Sequence, residues 1–225
     1  MSARRELALL AAVPWRPVGW LASIGVLLLA IASVWVASPV STFAVTLGVA
    51  TLAASVAHLL DEAAAEAADA TPTTLRARTV TRATAAVAVL AVGVVALAPL
   101  ALRTGSSASL GVAVQMAGCG LLALTAAATL RHRVPEPGEV VAGCAVALVM
   151  VLALGHPLDR WVDLFAPAGG ERWAGSLVVW ALVGGTSILG LTYATRDPFE
   201  RRPGLRSARF RAGRSARSSR PRARR

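Results

Sequence analysis

The densest run of titratable side chains in this sequence is His58, Asp61, Glu62, Glu66 and Asp69. His58, Glu62, Glu66 and Asp69 stand 4, 4 and 3 residues apart, so on one continuous helix they would share a face. Thr71-Pro72 follows in the form of a helix start, with threonine as N-cap and proline at the first helical position. Arg76, Arg78 and Arg82 then lead into the next apolar stretch. An acidic helix end, a break and a basic helix start form a docking surface for a partner, with Asp61, Glu62, Glu66, Asp69, Arg76, Arg78 and Arg82 as its candidate residues. A metal or proton site would instead draw on His58, Asp61 and Glu62. The plainest alternative is a solvated acidic face that pairs with the facing arginines.

Other chemistry is thin. His156, Asp159 and Asp163 fall on a second loop, where Leu158, Trp161, Val162 and Phe165 have the i, i+3, i+4, i+7 spacing of a short amphipathic helix. Being polar on the wet face of that helix accounts for the three titratable residues. All 23 basic side chains other than histidine are arginine. Without lysine the chain has no P-loop ammonium for a nucleotide phosphate and no amine for a Schiff base. Cys119 and Cys144 both lie inside apolar stretches and lack the close spacing of metal ligands. The sequence assigns no catalytic residue, no cofactor site and no metal site.

The elements that must position these residues are six apolar stretches, 19–37, 40–60, 83–102, 110–130, 140–155 and 174–195. A helix needs roughly 20 apolar residues to cross a bilayer core. The chain is 56% hydrophobic, 16% charged and 225 residues long, a composition that leaves no room for a soluble domain beside the spans. The fold class expected is an all-α membrane protein: a bundle of six transmembrane helices (19–195), preceded by a cytoplasmic segment (1–18) and followed by an arginine-rich tail (196–225). The fifth stretch, about 16 residues and so roughly 24 Å as a helix, is short enough for a re-entrant element. Parity argues for a full span.

Arginine placement sets the threading. With both termini cytoplasmic, the inner side holds 20 of the 23 arginines, leaving Arg103, Arg160 and Arg172 outside. This is the threading expected in a bacterial inner membrane. Trp15, Trp20, Trp35, Trp161, Trp173 and Tyr193 fall near the span ends, as interfacial aromatics do, while Trp180 is placed to pack inside the bundle. Within the spans the strongest polar group is Gln115, with milder Thr46, Thr51, Ser55, Thr125, Thr129, Thr186 and Ser187. These suit interhelical packing, or a lipid or drug pathway with weakly polar walls. Ion-coupled transport and intramembrane catalysis need ionisable groups at depth, which these stretches lack. The tail, from Arg196 to Arg225, mixes arginine with Pro, Gly and Ser and is expected to be disordered. Its partner would be anionic lipid headgroups, at about 1 kcal/mol per arginine, in preference to nucleic acid, since only Phe199 and Phe210 could stack on bases.

Leu60-Asp61-Glu62-Ala63-Ala64 and Ala70-Thr71-Pro72-Thr73-Thr74-Leu75-Arg76, the entry Pro14-Trp15-Arg16-Pro17-Val18-Gly19-Trp20, the outer Trp173 and the closing Arg196-Asp197-Pro198 occur together. This layout, over roughly residues 13–200, resembles a group of actinobacterial ABC-transporter integral membrane subunits. Glu62 stands where that group's usual pattern has a second aspartate. The resemblance implies a permease-like subunit, not itself an enzyme, whose separate P-loop ATPase docks on the cytoplasmic loops 61–82 and 131–139. Such a subunit also works as a homo- or hetero-oligomer. The alternative, from another class, is a non-transporting scaffold, regulatory or accessory protein that acts through its basic tail.

Overall fold

A computed structural model describes residues 10–11, 13–36, 38–61, 75–131, 133–134, 136–155, 161, 163–166 and 170–195, with the backbone alone at 75–77. Among these residues every regular element is an α-helix: α1 (Trp15–Val34), α2 (Pro39–His58), α3 (Leu75–Ala96), α4 (Ala98–Thr104), α5 (Ser106–Leu130), α6 (Pro137–Gly155) and α7 (Trp173–Ala194). Six helical runs are long and apolar enough to cross a membrane, α3 and α4 together forming the third over Arg78–Thr104. The chain is an all-α, multi-pass membrane protein. The expected loop helix start at Thr71-Pro72, most of the loop 156–169 and the tail 196–225 lie outside the described residues.

Local chemistry sets several helix ends. Ser38 caps α2, its hydroxyl accepting from the Ser41 N–H at 3.2 Å, with Pro39 at the first turn. The turn that joins α1 to α2 is short for that reason. Pro99 brings no N–H and cannot continue α3 unbroken, so the third span breaks at Leu97 and resumes as α4. Gly105 closes α4 at φ 93°, a left-handed conformation that glycine adopts without strain.

The helices are not equivalent. The spanning window of α2 is 67% buried and that of α5 is 56%, against 22–28% for the other four. The central pair is therefore α2 and α5. Around it α2 packs against α1 and α6, and α5 packs against α7. Val87, Val95, Leu102, Leu110, Leu148, Leu182 and Leu189 on the surrounding runs and on α5 face outward, the apolar exterior that lipid requires.

Between apolar helices lipid gives no hydrophobic drive, so close backbone approach and interhelical hydrogen bonds hold the bundle. Gly25 of α1 lies against α2, where a Cβ would stand 2.7 Å from Leu52 Cγ and 3.1 Å from the Gly48 carbonyl. The Ser41 hydroxyl donates to Ala32 O at 3.1 Å and ties α2 to α1. Thr125 donates to Ser187 O at 2.9 Å and ties α5 to α7.

The fifth span resolves in favour of a full crossing. Helix α6 has 19 residues, about 28 Å at 1.5 Å per residue, which matches a hydrocarbon core of about 30 Å. The sequence pattern undercounts it because Pro137-Gly138-Glu139 has the look of a loop, whereas those residues form the first turn. The short helix expected around Leu158–Phe165 is not formed by its described members: Trp161, Leu164 and Phe165 lie in turns. Trp161 is exposed, while Leu164 and Phe165 pack against the core.

Ser107, in the first turn of α5, and Arg133, just past its other end, are exposed at opposite ends of the helix. In a background lacking Cys119 and Cys144, Ser107→Cys and Arg133→Cys are expected to react with a membrane-impermeant maleimide from opposite faces of the membrane. Labelling of both from one face would overturn the six-span fold.

Candidate functional site: a charged clamp at one end of the bundle

Helix α2 stops at His58. Leu59 and Leu60 form a turn, and Asp61 is no longer helical. The turn is closed by the Asp61 side chain, which turns back so that His58 Nδ1 lies 2.8 Å from Oδ2. The other carboxylate oxygen reaches across the bundle. Asp61 Oδ1 accepts the backbone N–H of Gly138 at 2.6 Å, in the first turn of α6.

That hydrogen bond is a helix cap supplied from another helix. The first N–H groups of any helix have no intrahelical partner, and a carboxylate there gains from the partial positive charge of the helix end. A hydrogen bond from a neutral donor to a charged acceptor contributes about 1.5–3 kcal/mol. The approach demands glycine: a Cβ on residue 138 would collide with the Asp61 carboxylate.

Arg82 performs the converse task. It is 1% exposed on α3, and its Nη1 donates to Leu60 O at 3.2 Å and Asp61 O at 3.3 Å. These are carbonyls of the turn that ends α2, where the helix presents partial negative charge. Arg78 lies one turn earlier on α3 and is also buried. One short segment, His58–Asp61, thus receives an arginine from α3 and delivers a carboxylate to α6. Three helices are fastened at one end by charges that match their dipoles.

The seven residues expected to form a docking surface are therefore divided. Asp61, Arg78 and Arg82 are buried and engaged within the chain. Arg76 lies in α3 with its side chain undescribed, and Glu62, Glu66 and Asp69 lie outside the described residues. Among the described residues beside the clamp, the exposed charges are Arg133, Glu136 and Glu139, on the segment that leads into α6. Among the described residues no three His, Cys, Asp or Glu side chains come together as a set of metal ligands.

Sequence reasoning overlooked Gly138, although a Pro-Gly-Glu start is itself a helix-start signal. It also overlooked a cavity of about 260 Å³ at the opposite end of the bundle. The cavity lies where the turn before α2, the end of α4, the start of α5 and the segment around Phe165 meet. Trp173, expected as an interfacial anchor, is half-buried and lines this cavity, packed on Gly111. Trp180 is inside the bundle as expected. Its indole N–H donates to Leu164 O at 2.7 Å, and its ring stands 5.5 Å from that of Phe165.

No protein-family model, curated protein or solved structure matches this chain.

A double-mutant cycle tests the clamp. Gly138→Ala alone is expected to lower unfolding stability in detergent by about 1–3 kcal/mol, through the collision with Asp61. In an Asp61→Ala background the same change should cost nothing, or gain from alanine's better helix propensity of about 1 kcal/mol. Additivity within about 0.5 kcal/mol would mean that the two residues do not interact.

Proposed function

We propose that this protein is the membrane subunit of an ATP-driven transporter, lodged in a bacterial inner membrane with both termini cytoplasmic. A separate P-loop ATPase supplies the energy. The observation that carries the reading is the distribution of charge. The buried charged side chains among the described residues are Asp61, Arg78 and Arg82, all at one end. Depth holds Gln115, serines and threonines instead. An ion-coupled carrier needs an ionisable relay across its middle; a subunit moved by a partner's conformational work does not.

The clamp gives such work a point of entry. Arg133, Glu136 and Glu139 are exposed on the segment whose Gly138 is held by Asp61. A partner bound there would act on the start of α6 and, through Asp61, on the ends of α2 and α3. Glu62, Glu66, Asp69 and Arg76 belong to the same docking face in this reading, alongside the exposed charges of 131–139. In the proposed threading this face is cytoplasmic, and the cavity opens toward the outer half of the bilayer.

Purification of the tagged protein in mild detergent is expected to recover an ATPase. The combined charge reversal Arg133→Glu, Glu136→Arg, Glu139→Arg is expected to abolish that recovery while the variant stays folded. If the wild-type protein brings down no ATPase, the transporter reading fails and a non-transporting scaffold takes its place.

A further inference from the structure

The cavity opposite the clamp is lined by Trp173 and Phe165 and by hydroxyl groups from α2 and α4. Among the described residues no ionised side chain lines it. Its volume of about 260 Å³ lies just below the roughly 300–1,000 Å³ of drug-sized ligand sites. The walls combine apolar surface with a few fixed polar groups, which is how small-molecule sites are built.

The hydrogen-bond bookkeeping of the walls states what they would accept. Ser41 gives its proton to Ala32 O, Thr46 to Thr42 O and Thr104 to Leu100 O. Ser38 likewise gives its proton to Trp35 O, so these four hydroxyls meet the cavity as acceptors, while the exposed Thr42 hydroxyl, which also lines it, can donate. Gln115 is 3% exposed, and its orientation follows from its neighbours. Ser176 donates to Leu164 O at 2.7 Å, so its oxygen must receive the Gln115 amide N–H, at 3.2 Å. That leaves the Gln115 carbonyl oxygen for the cavity, accepting no hydrogen bond among the described residues. That oxygen keeps surface open to the cavity, where a ligand's donor can reach it.

Charge is disfavoured in both senses. Among the described residues an anion would find no basic side chain on the walls, only the partial positive ends of two helices, and a cation would find no carboxylate. A cation would also meet the partial positive ends of α2 and α5, whose first turns border the cavity. A desolvated ion without a counter-charge is strongly opposed. We infer that this cavity is a binding site for a small neutral alcohol, its hydroxyl donating to Gln115 Oε1 and its apolar body lying between Trp173 and Phe165. The site is independent of the transport reading: it binds whether or not the ligand is carried, and it needs no ATPase.

Ligand-observed NMR on the full chain in zwitterionic nanodiscs tests this, with empty nanodiscs subtracted to remove partition into lipid. The probes are 2-phenylethanol, its methyl ether, phenylacetate and phenethylammonium, which share one body and differ in donor and charge. Saturable binding of the alcohol is expected. The ether, which lacks the donor, should bind about tenfold more weakly, and the two ions should show no saturable binding. Gln115→Leu should weaken the alcohol about tenfold. Ala108→Leu, which fills the cavity from α5 without touching the Gln115–Ser176 bond, should abolish binding and provides a second variant. Absence of saturable alcohol binding to the folded wild type would overturn the proposal. So would ions or the ether binding as well as the alcohol, or unchanged binding to Ala108→Leu.

Discussion

The hydrogen bond from Gly138 N–H to the Asp61 carboxylate is the contact on which the order of the bundle depends. It joins residues 77 apart in sequence and closes at 2.6 Å. A helix that begins at Pro137 would otherwise bring unpaired N–H groups to the edge of a hydrocarbon phase, where each costs several kcal/mol. Asp61 supplies the acceptor and the negative charge together. Because Arg82 holds the carbonyls beside the same aspartate, the carboxylate is positioned by one helix, braced by a second and used by a third. The buried charges compensate helix ends, which explains how they are tolerated next to an apolar bundle.

The rest of the molecule follows from keeping charge at that end. Away from it, α2 and α5 pack by close approach and by short hydroxyl-to-carbonyl bonds, and the outer faces are aliphatic. At the far end the packing loosens into a cavity whose polar lining, among the described residues, is neutral. The chain thus has a charged, fastened end and a neutral, hollow end. Work applied at the first could reach the second through α2, whose start borders the cavity and whose end forms the clamp.

Much of the fold was legible in the sequence because a lipid-spanning helix announces itself by length and hydropathy. Each of the six apolar stretches corresponds to a span. What was misread turns on contacts that residue type and spacing do not show. Pro137-Gly138 has loop composition until Asp61 is known to face it, so α6 seemed three residues too short. His58, Glu62, Glu66 and Asp69 have helical spacing, yet α2 ends at His58 because Asp61 folds back on that histidine. Asp61, Arg78 and Arg82 carried a signal of chemistry, but spacing alone does not distinguish an exposed charge from one buried at a helix end. Gln115 stood out as polar at depth; the hydroxyls that complete its cavity did not, since Ser41 and Thr104 have the same types as packing residues elsewhere.

The role of Asp61 is most directly tested by amide hydrogen exchange at the start of α6 in nanodiscs, comparing the wild type with Asp61→Ala. Loss of the cap should speed exchange at residues 138–140 by about tenfold or more, while the middle of α5 keeps its protection. Unchanged protection at Gly138 in the variant would contradict the claim that Asp61 holds this helix in place.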